Sequence, residues 1–268
     1  MSFYVSTATF CLLHCDEWDR VVAIAASRSC ETQLLEFIDD VTLNMENGKQ
    51  TDILVMDFSK AFDKVSHSLL LHKLHYYGIQ GELNSWIQNF LSNRKQAVVL
   101  EGEKSDYVAA ESGVPQGLFL DQASFCITSI PAGITSTIRL FADDTIAYLA
   151  IKSKRDALTL QQDLDKLSNW ENNWKMAFHP DKCNVISITR NKKPIKCNYT
   201  LHGHTLDHVT KAKFLGVSIR SNLKWESHIN NITKKANNIL GSSKKELEHK
   251  LSIHERASIQ VPSQTITH

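Results

Sequence analysis

Three aspartates have the types and positions of residues that could act together in catalysis. Asp57 follows Ile53–Met56, four apolar residues that predict a strand buried on both faces of a sheet. Asp143 and Asp144 separate two short apolar runs, which predicts a tight hairpin with both carboxylates at its tip. Carboxylates at close range repel each other, and a bound divalent cation is the simplest compensation. These residues point to a metal-dependent reaction if the fold brings them together.

The elements around the aspartates predict such a fold. Periodicity predicts helices over residues 28–45, 68–77 and 83–91, strands over 51–58 and on both sides of Asp143-Asp144, a long helix from about Ser153, and a strand over 184–189. Without the extra hairpin predicted within residues 96–110, this is a β-α-β-β-α-β order, which forms an antiparallel sheet with helices on one face. In this α+β arrangement the strand ends place Asp57 close to Asp143 and Asp144.

The composition is that of a folded intracellular protein. Hydrophobic residues make up 42% and charged residues 22% of the 268 residues, which excludes a disordered chain, a collagen-like fibre and a coiled coil. Six cysteines are too few for a disulfide-built secreted scaffold. The apolar runs are too short to span a membrane, and no clear signal peptide is present. We expect a protein of the nucleus or cytoplasm that is neither secreted nor membrane-bound.

The net charge of +1 conceals an uneven distribution. Residues 182–250 contain fourteen Lys and Arg but only four Asp and Glu, whereas the rest of the chain is acidic. A basic segment beside a carboxylate-rich body indicates a polyanionic partner held next to the aspartates. A basic face that is merely solvated is the alternative interpretation.

Four motifs carry a resemblance to a known family. They are Thr51-Asp52 with Asp57-Phe58-Ser59-Lys60-Ala61-Phe62-Asp63, then Ser112-Gly113-Val114-Pro115-Gln116-Gly117, then Phe141-Ala142-Asp143-Asp144, and Phe214-Leu215-Gly216-Val217. In this order the chain resembles a reverse transcriptase, specifically the polymerases of non-LTR (LINE-type, jockey-like) retrotransposons. Each motif alone is weakly specific, but their common order is specific. The resemblance runs from about Arg28 to about Gly241.

The resemblance implies a right-hand polymerase palm with incomplete fingers and thumb. The implied activity is RNA-directed DNA polymerisation, with an RNA template, a DNA primer and deoxynucleoside triphosphates as partners. Its cofactors are then two Mg²⁺ (or Mn²⁺) ions about 4 Å apart. By the same resemblance, Asp57 and Asp143 bridge both ions and Asp144 completes or supports the site.

The resemblance also assigns residues to a nucleotide site. Phe62 matches an aromatic steric gate that excludes ribonucleotides, and Phe58 is assigned to the same site. Gln116 and Gly117 match the loop that contacts the incoming nucleotide, where glycine permits close backbone approach. Lys182 matches a lysine that protonates the pyrophosphate leaving group. The alternatives are a core aromatic for Phe62 and a surface lysine after a proline turn for Lys182.

The domain division follows from where the resemblance begins and fades. Phe214, Leu215 and Gly216 resemble a primer grip, a hairpin that presses on the primer backbone while nearby lysines meet phosphates. We expect an unmatched N-terminal segment over 1–27, a palm with partial fingers over 28–190, a basic hairpin and primer-grip region over 191–241, and an unmatched tail over 242–268. The sequence gives no indication of the oligomeric state.

Other functions are compatible with parts of the sequence. Residues 118–131 depart from the family pattern and include Asp121 in an apolar run, so a catalytically decayed retrotransposon fragment that at most binds nucleic acid is the alternative function. A metal-dependent phosphatase built on residues 57–63 has no further motif in its support. Cys197, His202, His204 and His208 have the types of zinc ligands. A hairpin is the favoured interpretation there, because zinc modules usually carry a paired Cys-x-x-Cys.

Overall fold

The computed structural model describes residues 21–22, 29–59, 63–76, 78–114, 130–131, 133–141 and 144–258, and side chains only within 29–245. The chain divides into two compact units, Met1–Leu223 and Lys224–His268. The first contains all the strands of the described residues, and the described part of the second contains one helix, α5 (Glu226–Ser258). Within the described residues, no helix is both long and apolar enough to cross a membrane.

A six-stranded sheet forms the centre of the first unit. Its strands are β1 (Val21–Val22), β2 (Gln50–Asp57), β7 (Thr137–Phe141), β8 (Asp144–Ile151), β9 (Asn184–Ile188) and β12 (Asp207–His208). Their spatial order is β1-β7-β8-β2-β9-β12, in which the four central strands are antiparallel and the two edge strands pair in parallel. This order confirms the predicted β-α-β-β-α-β palm, with β2 and β8 side by side at its centre.

One face of the sheet packs against the long helix α4 (Lys154–Trp174). The helix begins as predicted after Ser153, whose side chain forms a capping box with Asp156. Its apolar stripe meets the β2 side chains Leu54 and Met56, together with residues of β7 and β9. Alternate residues of β2 therefore form the core on this face.

The opposite face is covered by α1 (Cys30–Glu46) and by a hairpin of β13 (Lys211–Phe214) and β14 (Val217–Arg220). Phe37 of α1 lies edge-on to Tyr148 of β8 and to Phe214 of β13, with ring centroids 5.3 and 5.8 Å apart. The prediction of helices on one face is thus wrong in this detail. Because β2 is apolar on both faces, as its run of consecutive apolar residues indicated, both faces require a cover.

The remaining elements lie between β2 and β7 and after β9. Helices α2 (His67–Tyr76) and α3 (Gly81–Leu91) form a small core of their own with Val65 and Val114. The predicted hairpin after α3 consists of two nested pairs, β3 (Lys95–Gln96) with β6 (Val108–Ala109) and β4 (Val99–Leu100) with β5 (Glu103–Lys104). Strands β10 (Thr200–Leu201) and β11 (His204–Thr205) form a further short hairpin.

Candidate active site

Asp57 and Asp144 are direct cross-strand partners at one end of the sheet. Asp57 is the last residue of β2, Asp144 is the first residue of β8, and the two are in register in the antiparallel pair. Cross-strand partners have Cα atoms about 5 Å apart and project their side chains from the same face. The two carboxylates therefore lie on the sheet face that α1 and the β13–β14 hairpin cover, as the buried neighbours Ile53 and Ile146 on the same strands show.

The third predicted carboxylate, Asp143, falls in the sequence between the end of β7 and the start of β8. Phe141 pairs with Asp144, so the two-residue connection between the strands is Ala142-Asp143. This agrees with the tight hairpin expected from the sequence. Asp143 itself lies outside the described residues, as do Phe62, Gln116, Gly117 and the altered segment 118–129.

Lys182 provides a positive charge at the carboxylate pair. Its Nζ lies 3.0 Å from Oδ2 of Asp57, and the two side chains are 59% and 36% exposed. Lys182 ends a 3₁₀ turn, Pro180–Lys182, that follows α4 and precedes β9. Lys182 is thus an exposed residue, as the alternative of a surface lysine after a proline turn states. That alternative does not include the contact with Asp57, which places an ammonium group at the predicted metal ligand.

Backbone hydrogen bonds hold the segment before Lys182 against the end of β2. The N–H of Ser59 donates to the carbonyl of Ala177 at 2.7 Å, and the N–H of His179 donates to the carbonyl of Asp57 at 2.8 Å. Between them, Phe58 and Phe178 form a β-bridge, and their rings stack with centroids 4.3 Å apart. Residues 177–179 therefore extend the sheet beside the end of β2, and the 3₁₀ turn that follows them fixes the origin of the Lys182 side chain relative to Asp57.

Two predicted ligand-binding aromatics have their side chains in the core. Phe58, assigned to the nucleotide site, is 4% exposed and packs on the α4 face. Phe214, assigned to the primer grip, is 1% exposed and packs against Phe37. Neither ring is accessible for stacking on a base, because in each strand the alternation of side chains directs it inward. Each buried ring instead anchors the residues next to it in the chain. Phe58 anchors Asp57, and Phe214 anchors the turn Leu215-Gly216.

The β13–β14 hairpin presents a basic face. Lys211 is paired with Arg220 and Lys213 with Ser218, so these four side chains share one face, while Ala212, Phe214 and Ile219 lie in the core on the other. Leu215 and Gly216 form the turn, both with positive φ. The hairpin lies on the same side of the sheet as Asp57 and Asp144. This is a suitable position for contact with a phosphate backbone.

A tight contact joins two of the motifs around this site. The Ser112 hydroxyl donates to the carbonyl of Asp63 at 2.9 Å, and the N–H of Gly113 donates to the carbonyl of Val65 at 2.9 Å. Gly113 has φ +82°, and a Cβ there would lie 2.8 Å from the Asp63 carbonyl oxygen. The glycine of this motif is therefore required for the backbones to approach each other.

The donor set fits a magnesium ion better than a zinc ion. Asp57 and Asp144 offer carboxylate oxygens, which are hard ligands suited to Mg²⁺ or Mn²⁺. Burial raises the pKa of the neighbouring Cys183 thiol to about 11, so this thiol is protonated at neutral pH. Within the described residues there is no cluster of three or more His, Cys, Asp and Glu side chains suited to a metal.

The zinc alternative on the basic segment is not supported by the contacts of its residues. His208 Nε2 donates to the backbone carbonyl of Cys197 at 2.7 Å rather than facing its sulfur. His202 turns away to the buried carboxylate of Glu171 on α4. The favoured hairpin interpretation is confirmed for residues 200–205.

Sequence reasoning did not single out Glu171, which is fully buried beside the site. It follows Leu160, Leu164 and Leu167 at helical spacing, so the apolar stripe of α4 directs its carboxylate into the core. Its Oε2 accepts a hydrogen bond of 2.5 Å from the N–H of Phe178. The sequence does show that Glu171 continues the apolar stripe of this helix. A carboxylate in such a position predicts a specific polar partner in the protein interior, because buried charged groups are paired.

Comparison with known proteins connects this geometry to a family. Residues 14–219 match the family described as reverse transcriptase (RNA-dependent DNA polymerase), and the match begins within residues 1–27, where the motifs gave no resemblance. The RNA-directed DNA polymerase from mobile element jockey of Drosophila melanogaster is 29% identical over 200 residues, which are 70% of this chain and 22% of that protein. The probable RNA-directed DNA polymerase from transposon X-element of the same species is 24% identical over 214 residues, 75% of this chain and 23% of that protein.

The chain thus spans about a fifth of the length of these curated relatives. Among solved structures, a telomerase from Candida tropicalis truncated from its C-terminal domain is similar with a TM-score of 0.46 and 14% sequence identity, over 76% of this chain and 40% of that one.

Proposed function

Since the chain belongs to the reverse transcriptase (RNA-dependent DNA polymerase) family, we propose that it extends a DNA primer on an RNA template, as the palm of a jockey-like non-LTR retrotransposon polymerase. The observation that carries this proposal is the register of Asp57 with Asp144 at one sheet end, with Lys182 in contact with Asp57. Like charges directly opposite each other destabilise a sheet pair unless a cation compensates them. Lys182 compensates part of this repulsion at Asp57, and a divalent cation bound by both carboxylates would compensate it further.

Asp57 and Asp144, with Asp143 of the intervening turn, are the residues that would hold the divalent cations. When bound there, Mg²⁺ supplies activation of the primer 3′-hydroxyl and neutralisation of the pyrophosphate leaving group. The protein's own part is to fix the carboxylates on a rigid pair of strands, β2 and β8, which limits the reorganisation needed when phosphates bind.

Lys182 is the residue that would handle a proton in this reaction. As the oxygen of the primer 3′-hydroxyl bonds to the α-phosphorus, its proton passes to solvent and the bond from that phosphorus to the oxygen shared with the β-phosphate breaks. The leaving pyrophosphate then takes a proton from Nζ of Lys182. The Lys182 ammonium group is suited to this role because it is exposed and forms an ion pair with Asp57 at the end of β2. From there it would be able to reach the leaving group.

Primer extension by the 268-residue chain tests the proposal. We expect the purified chain to extend a DNA primer on an RNA template in the presence of Mg²⁺. Asp57→Asn should lower the rate by about a thousandfold or more, because a metal ligand is lost. Asp106→Asn, an exposed acid in the hairpin after α3, serves as the matched control and should extend as fast as the natural chain.

Two results would contradict the proposal. Binding of primed template without extension would instead support the alternative function, a fragment that only binds nucleic acid. Extension at an unchanged rate by Asp57→Asn would remove the carboxylate pair from the mechanism.

A further inference from the structure

A polar contact to a buried carboxylate links the β10–β11 turn to the backbone beside Asp57. His202, in that turn, places its Nε2 against Oε1 of Glu171, and Glu171 is fully buried near the C-terminal end of α4. The other carboxylate oxygen of Glu171 accepts the Phe178 N–H at 2.5 Å. One carboxylate therefore binds both the hairpin turn and the segment that leads to Lys182.

The charge of this carboxylate requires a partner. Burial raises the pKa of Glu171, which means that the interior disfavours its ionised form, while the Phe178 N–H and His202 favour that form. The Ser168 hydroxyl lies 3.4 Å from the other ring nitrogen of His202, which orients the imidazole. Without His202, Glu171 would keep only the Phe178 N–H and the Ser168 hydroxyl to stabilise a buried charge, and such a group is costly unless it is neutralised or reached by water.

The consequence extends to the active site through Phe178. The N–H of Phe178 binds Glu171, its ring stacks on Phe58, and the next residue, His179, donates to the carbonyl of Asp57. Lys182 is attached to the same turn, since its N–H donates to the carbonyl of His179 at 2.9 Å. Displacement of Phe178 would therefore move Lys182 relative to Asp57.

We propose that His202 and Glu171 are positioning residues for Lys182, which they hold in place from the sheet face opposite the carboxylate pair. This inference rests on the proposed polymerase function, and it adds residues that none of the motifs contains. Neither side chain contacts Asp57 or Lys182. They act through the backbone of residues 177–182. His202 has φ +51°, a conformation that histidine tolerates better than most residues, so the turn can present its ring to α4.

The test compares three variants of the full chain. His202→Ala removes the partner of Glu171, His202→Gln keeps a neutral donor of similar reach, and His204→Ala changes an exposed histidine of the same hairpin as the control. Hydrogen exchange of the Phe178 and His179 amides reports the positioning directly, with the amides of β2 as the internal reference. Primer extension provides kcat and KM for the same proteins.

We expect His202→Ala to exchange the Phe178 and His179 amides about tenfold faster or more, with β2 little changed. Its kcat should fall about ten- to a hundredfold, while KM for the template–primer stays within about twofold, because Lys182 and not the binding surface is displaced. His202→Gln should recover most of both effects, and His204→Ala should behave as the natural chain.

Three outcomes overturn the inference. The first is that His202→Ala leaves exchange and kcat unchanged. The second is that it raises exchange equally throughout β2 and α4, which indicates a general loss of stability. The third is that His202→Gln is as impaired as His202→Ala. Hydrogen exchange is measured without substrate. If the chain extends no primer, the proposed function is contradicted, but the exchange rates still show whether His202 positions Phe178.

Discussion

Nζ of Lys182 lies 3.0 Å from Oδ2 of Asp57, across the junction between the 3₁₀ turn and the end of β2. The two residues are far apart in the sequence, and the antiparallel pairing of β2 with β9 brings them together. A cation on the chain thus occupies one side of a carboxylate that we assign to metal binding. The contact is half-exposed, so its contribution to stability is small, and we assign it to the proposed reaction instead.

Replacement of Lys182 should affect the rate of chemistry more than binding. Lys182→Gln removes the proton donor, and we expect kcat of primer extension to fall about a hundredfold. The melting temperature should change little, because exposed ion pairs contribute about 0–1 kcal/mol. Steady-state kinetics and thermal unfolding measure the two effects. Lys192→Gln, an exposed lysine of the same basic segment, is the control, and equal rates for both variants would exclude Lys182 from catalysis.

The carboxylate pair should bind a divalent cation in the absence of nucleic acid. Mn²⁺ binding, followed by electron paramagnetic resonance, should weaken about tenfold or more in Asp144→Asn, because the remaining Asp57 no longer has a charged cross-strand partner. Excess chelator should abolish extension, and added Mg²⁺ or Mn²⁺ should restore it. Extension that persists in chelator would show that the aspartates do not act through a metal.

The basic face of the β13–β14 hairpin should contribute to nucleic-acid binding through its charge. Lys211→Gln with Lys213→Gln should reduce the slope of log affinity against log salt concentration for a primed template by roughly 0.7–0.9 for each phosphate that the variant no longer neutralises. Fluorescence anisotropy at several salt concentrations measures the slope. Lys152→Gln with Lys154→Gln removes the same charge elsewhere on the surface, and an equal reduction there would indicate a non-specific effect.

Two glycines with similar backbone angles should differ in their tolerance of alanine. Gly113 has φ +82° and a backbone oxygen 2.8 Å from the position of a Cβ, whereas Gly133 has φ +76° and nothing within 4 Å. Gly133→Ala should cost about 1 kcal/mol of unfolding free energy for its conformation alone. Gly113→Ala should cost about 1–3 kcal/mol more, because the contact with Asp63 must open. Urea denaturation of both variants measures the difference, and equal losses would contradict the close approach.

A buried arginine should be important for the stability of the α1 face. Arg139 of β7 donates to Glu36 at 2.8 Å, to Asp40 at 3.0 Å and to the Tyr148 hydroxyl at 2.8 Å. Arg139→Ala should lower the free energy of unfolding by about 2–4 kcal/mol, because it leaves a cavity and unpaired groups. Glu36→Gln should cost less than about 1 kcal/mol, since Glu36 is half-exposed. Similar losses for both variants in urea denaturation would assign the stability to the ion pair and not to the buried guanidinium.

The sequence was sufficient to predict the elements that carry the carboxylates. A run of apolar residues ending in Asp57, and a pair of apolar runs around Asp143-Asp144, have local patterns that specify strand and hairpin. The order of the elements then predicts that the end of the first strand places Asp57 close to the Asp143-Asp144 hairpin, and the pairing of Asp57 with Asp144 agrees with this for Asp144. These predictions succeeded because each depends on neighbouring residues in the chain and on a small set of allowed connections.

The interactions that position these elements could not be predicted in the same way. Tyr199 donates to the buried carboxylate of Asp52, 147 residues away, and Arg139 meets Glu36 across 103 residues. No local spacing encodes which partner a buried polar group will find, because that depends on how the faces of the sheet are covered. Helix α5 is a different case. Ile229, Ile232 and Ile239 have the spacing of a helix, but this segment was interpreted from its charge and not from that spacing.

The contact between Gly113 and Asp63 also has a consequence for how this chain can vary. Residues 64–112 leave the palm and return to it at the same point, since Ser112 and Gly113 bind the backbone of Asp63 and Val65. Within this excursion α2 and α3 have a small core of their own. A segment whose ends already meet can be lengthened, shortened or exchanged at little cost in loop entropy. Residues 64–112 of this chain can therefore vary in length or sequence while the strands that carry the carboxylates keep their order.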